Sequence, residues 1–105
     1  MELTIHWTDF AKAELKGIFK YYTENVNERV GNKVVNEISD KPDILKTHPE
    51  IGQKEVCLEN REHDFRYLIY TSYKIIYWVN TDENRIEIVD IFPTRQDPLK
   101  MKRVR

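Results

Sequence analysis

Apolar and polar residues alternate at the start of the chain: Leu3, Ile5 and Trp7 fall on one side of ELTIHWT, and Thr4, His6 and Thr8 on the other. A period of two predicts a strand. The period then changes. Ala11, Leu15, Ile18, Phe19 and Tyr22 fall at i, i+4, i+7, i+8 and i+11, which is one face of an amphipathic helix that Thr8 or Asp9 can cap. Asn25 and Asn27 mark a break, and Asn27 suits the cap of a second helix whose stripe runs through Val30, Val34, Ile38 and Leu45. Pro42 interrupts that stripe. It lacks an N–H and crowds the preceding turn, so the helix should kink or end near Asp40. The short connection between the two helices predicts an antiparallel pair.

After the turn HPEIGQ the period of two returns. Lys54–Leu58 reads as a short strand and Glu59–Asp64 as a charged loop. Phe65–Tyr70 and Tyr73–Val79 flank a tight turn at Thr71-Ser72, and Arg85–Phe92 is a last strand after NTDEN. The order β-α-α-β-β-β implies an α+β fold: a mainly antiparallel sheet with both helices on one face. A turn at Thr71-Ser72 sets Tyr70 opposite Tyr73, Leu68 opposite Ile75 and Arg66 opposite Tyr77. Arg66, Leu68, Tyr70, Tyr73, Ile75, Tyr77 and Val79 then share one face, and Phe65, Tyr67, Ile69, Lys74, Ile76 and Trp78 the other. Helices on one face would leave the other as exposed aromatic surface, the usual mark of a binding site. Tyrosines also suit half-buried strands for structural reasons alone. Arg66 can brace Tyr77, and Lys74 can reach sideways to water.

Composition narrows the class. A length of 105 residues implies one domain. The chain divides as residues 1–97, a single folded domain, and 98–105, a basic tail. The net charge of −1 argues against a general nucleic-acid binder. Its distribution is uneven: KMKRVR at the end holds four cations, and the rest of the chain has 13 basic against 18 acidic residues. The sequence shows no apolar run long enough for a membrane span and no signal-peptide pattern in MELTIHWTDF. A single cysteine, Cys57, forms no internal disulfide. These features lead us to expect a cytoplasmic protein without a membrane partner.

Chemical motifs are few. The three glycines form no phosphate-binding loop, and His6, His48 and His63 have no metal-ligand spacing. No metal and no cofactor are expected. Cys57, in a predicted strand, reads as a small apolar residue rather than a nucleophile. His63, in a charged loop, reads as solvated.

The ordered set IHWTDFAKAELKGIFKYY, LKTHPEIGQ, FRYLIYTSYKIIYWV and RIEIVDIFPTRQDP, which spans nearly the whole chain, resembles the RelE/ParE superfamily of type II toxin–antitoxin toxins, also known as plasmid stabilisation proteins. The resemblance implies a toxin that arrests growth and is held inactive by a cognate antitoxin, alone or as a homodimer or hetero-oligomer. RelE-like members cleave mRNA on the ribosome without a metal, using cations to stabilise the scissile phosphate. ParE-like members instead poison DNA gyrase and are not enzymes. By position, Lys74 stands where RelE-like nucleases carry a catalytic arginine, and it keeps the charge but not the bidentate fork. Arg95 matches the arginine after the last strand, and Arg66 a basic position before the hairpin. Tyr67, Tyr73 and Tyr77 are weaker candidates for a ring that stacks on a base. QDPLKMKRVR lacks the late tyrosine of such nucleases, and Phe65 and Tyr67 replace their lysines. These departures favour the ParE-like branch, with mRNA cleavage or a degenerate toxin that only binds antitoxin as alternatives. For the antitoxin, Tyr67 and Trp78 on the open face and Lys100, Lys102 and Arg103 on the tail are the candidate contacts.

Overall fold

The computed structural model describes residues 2–103, with the side chain of Lys102 outside the described set. β1 (Thr4–Trp7) leads into α1 (Asp9–Asn25) and α2 (Glu28–Asp40). The two expected caps form: Thr8 Oγ1 accepts from the Ala11 N–H and Asn27 Oδ1 from the Val30 N–H. Each satisfies a backbone donor that the first helical turn leaves free. α2 stops at Asp40, and Pro42 sits in the first turn of a 3-10 segment, Lys41–Lys46, where its missing N–H does no harm.

The remaining strands are β2 (Gln53–Lys54), β3 (Arg66–Tyr70), β4 (Tyr73–Asn80) and β5 (Arg85–Pro93). They form one five-stranded sheet in the order β1-β5-β4-β3-β2, one strand more than the expected order β-α-α-β-β-β counts. All neighbours are antiparallel except β1 and β5, which run parallel. The parallel pair follows from the helical excursion, which returns the chain so that β5 enters beside β1. The expected hairpin register holds: Arg66 pairs with Tyr77, Leu68 with Ile75, and Tyr70 with Tyr73.

The helices pack on the predicted face, over Ile75, Tyr77, Ile86, Ile88 and Ile91, with Ala11, Ile18, Ile38 and Leu45 supplied from above. A bulge in β5 opposite Ile76/Tyr77 shifts the alternation, so Ile86 and Ile88 precede it and Ile91 follows it on the same side.

The second face departs from expectation. It is not bare. Leu58, Phe65, Ile76, Val89, Phe92 and Met101 form a second buried cluster, with Tyr67 and Trp78 against it. Two 3-10 segments close it: Val56–Leu58, where a strand was expected, and Pro98–Arg103, from the expected tail. Leu58 and Met101 are the apolar residues each lays on the sheet. An uncovered row of Ile76, Phe92 and Trp78 would hold apolar area against water, and these short turns remove most of it.

Candidate functional site

β4 sends Tyr73 and Lys74 to opposite sides of the sheet, because successive strand residues alternate. Lys74 lies on the second face. Its Nζ is 2.7 Å from Glu55 Oε1 and 4.4 Å from the centre of the Tyr67 ring. The Glu55 carboxylate is nearly sealed from solvent, and its other oxygen accepts the Cys57 N–H at 3.2 Å. Lys74 is therefore turned to a buried acid, with only part of its side chain left to water. It neutralises a buried acid and holds the Val56–Leu58 turn against the sheet. Cys57 on that turn is exposed, not a core residue.

Arg66 is bound to backbone. Its Nη1 donates to the Gly52 carbonyl at 2.9 Å and the Glu50 carbonyl at 3.3 Å. Tyr77, its cross-strand partner, is fully buried; its hydroxyl donates to the Pro49 carbonyl at 2.9 Å and accepts the Gly52 N–H at 3.0 Å. Burial pushes its phenol upward, so it stays neutral and donating. Tyr77 cannot offer a ring to an outside base, which corrects the expectation for that residue. Gly52 makes the approach possible. A Cβ there would collide with the Tyr77 hydroxyl and come within 2.8 Å of the Tyr67 carbonyl.

Trp78 is partly covered, with the His63 imidazole stacked on it at 3.5 Å and nearly parallel. His63 is thus a lid on an aromatic ring rather than a solvated loop residue. Arg103 leaves the expected tail surface as well. It forms a two-pronged pair with the fully buried Asp90, at 2.8 and 2.9 Å, a contact with Glu14 at 3.4 Å, and lies over the rings of Phe10 and Phe92. The bonds to Asp90 raise the Arg103 guanidinium above its usual range. Lys100 is exposed. The side chain of Lys102, and Val104 and Arg105 altogether, lie outside the described residues.

Arg95 is different. It makes no ion pair or hydrogen bond among the described residues. It lines an open cleft of about 600 Å³ on the helix side of the sheet, with Tyr21, Tyr22 and Val26 from the end of α1, and Tyr73 and Gln96. The Tyr73 hydroxyl is hydrogen-bonded to Tyr22, and burial with that bond pushes it well above the usual tyrosine range despite the nearby Arg95 charge. The rim is tied together: the Thr94 N–H and Oγ1 both donate to the Ser72 carbonyl, at 2.8 and 3.0 Å. Lys74 and Arg95, proposed from the sequence as a pair, thus act on opposite sides of the sheet.

Sequence reasoning missed Glu55, Asp90 and the two tyrosines of α1. Asp90 did carry a signal, an acid inside the apolar run IVDIF, since a buried carboxylate needs a cation. Glu55 carried none.

Two helices against a sheet whose first and last strands run parallel, with cations drawn inward, define a small α+β protein. The family of ParE toxins of type II toxin–antitoxin systems, parDE, matches residues 5–98, and the chain belongs to that family. This is the ParE-like branch that the resemblance favoured. Among solved structures, a chain of the chromosomal ParDE toxin–antitoxin system from P. aeruginosa shares the fold, with a TM-score of 0.73 over 90% of this chain and 98% of that one, at 19% identity. No curated protein sequence matches.

Proposed function

We propose that this chain is the toxin of a type II pair, that it inhibits DNA gyrase by binding rather than by catalysis, and that a cognate antitoxin neutralises it in the cytoplasm as a hetero-oligomer. One observation carries the choice against mRNA cleavage. The cation at the nuclease-like position, Lys74, is spent on the buried Glu55 at 2.7 Å and lies across the sheet from Arg95. Stabilising a phosphorane needs unspent donors converging on one point. Here Lys74 and Arg66 are engaged internally, and Tyr77 is enclosed. Tyr67 donates its hydroxyl to Gln53 at 3.0 Å beneath Lys74. That leaves Arg95 beside the exposed Tyr21 ring as the surface through which the toxin meets another macromolecule, an aromatic and arginine combination typical of binding hot spots.

Supercoiling by purified gyrase tests the reading. The expected result is inhibition at near-stoichiometric protein, lost on adding the antitoxin encoded beside the gene. Unimpaired supercoiling at large excess, together with A-site cuts in primer extension on translating ribosomes, would replace this reading with the nuclease.

A further inference from the structure

The described cations outside the cleft that point toward the sheet are matched by acids or carbonyls: Lys74 by Glu55, Arg85 by Glu87, Arg103 by Asp90, and Arg66 by the Gly52 carbonyl. Arg95 has no such match. No carboxylate of the described residues lines its cleft. Beside it stands the Tyr73 hydroxyl, which burial and its bond to Tyr22 push above the usual tyrosine range, and at the outer edge the rings and methyls of Tyr21 and Val26 are more than half exposed. The Tyr21 ring is held edge-on to Tyr22 at 5.2 Å, and the Asn25 amide donates to the Tyr21 carbonyl at 2.8 Å. The cleft therefore presents one guanidinium fork and hydroxyl groups in its interior, and a fixed apolar lip.

We propose that this cleft is a receptor for a carboxylate side chain with an apolar neighbour, carried on an extended segment of the antitoxin. It rests on the reading above only in taking a protein as the partner. Charge complementarity sets the chemistry: an unmatched arginine gains most from a planar, two-oxygen anion. The apolar neighbour covers Tyr21 and Val26, which otherwise stay wet. A phosphodiester strand is the poorer fit, because one cation in a body of 13 basic and 18 acidic residues, leaving out the last six, gives little counterion release.

The probes are end-blocked dipeptides, acetyl-Asp-Phe-amide and acetyl-Asn-Phe-amide, titrated into the isotope-labelled full chain and followed by amide chemical shifts. The Asp peptide should move the resonances of Tyr22, Tyr73, Arg95 and Gln96, and the Asn peptide should bind roughly tenfold more weakly. Arg95→Gln should abolish the difference between the two peptides, while Arg95→Lys should keep part of it. Equal binding of both peptides, shifts centred elsewhere, no shifts at millimolar peptide, or displacement of the Asp peptide by a single-stranded RNA tetranucleotide would each overturn the proposal. The titration needs neither gyrase nor antitoxin, so its failure and a failure of the gyrase reading are separately visible.

Discussion

The two faces of the sheet are closed by different means. On the helix side, closure is apolar and periodic: α1 and α2 lay Ala11, Ile18 and Ile38 on Ile75, Ile88 and Ile91. On the other side, two short 3-10 segments do the covering, and each is pinned by a charged pair, Lys74–Glu55 and Arg103–Asp90. A helix carries enough apolar residues to hold itself down. A three- to six-residue turn does not, so it needs directional anchors. The first kind of closure is robust to detail, and the second depends on individual partners.

Breaking each side should show this. Ile75→Ala removes a fully buried side chain from the helix-side core and should cost about 2–5 kcal/mol in urea unfolding. Arg103→Ala should cost about 3 kcal/mol, because Asp90 is left charged and buried without its partner. The double change Arg103→Met with Asp90→Leu should recover most of that loss, which would mark the pair as a pin rather than a source of net stability. A loss that persisted in the double variant would mean that shape, not charge, holds the segment. Arg66→Ala should cost about 1–2 kcal/mol, by freeing the Gly52 carbonyl, with thermal melting as the readout.

Acid probes the sheet's other margin. Burial of Glu87 would raise its carboxyl, but bonds from Asn80, Arg85 and His6 outweigh burial and hold it below the usual range. A carboxyl lowered by folding adds stability above its unfolded value, and the gain fades as pH falls through the folded one. Glu87→Gln should therefore flatten the loss of stability below about pH 4. Arg95→Gln should be the smallest effect, within about 0.5 kcal/mol, because nothing among the described residues is bonded to it. A larger change would remove Arg95 from the free surface.

Much of the fold was legible in local pattern. The caps at Thr8 and Asn27, the stop at Asp40 and the cross-strand pairs of the hairpin all follow from short-range rules, and all were found. The candidate site was legible only in part. Arg95 was singled out from the sequence, and in the structure it lines an open cleft. Lys74 was found too, but its partner Glu55 comes from a turn that the pattern read as a strand. The β5 bulge was invisible because RIEIVDIF alternates too briefly to reveal a skipped residue.

By itself the sequence determined the two helices, the first strand, the last strand and which side of the hairpin each residue occupies, because those depend on neighbours one to four positions away. Only the tertiary structure decided that the aromatic face is covered, that Lys74 and Arg103 are internal pins, and that Arg95 faces a cleft without a bonded partner among the described residues. Charge pairing in a folded chain is set by distance in space. Glu55 and Lys74, or Asp90 and Arg103, meet only after the sheet has brought separate turns to the same face.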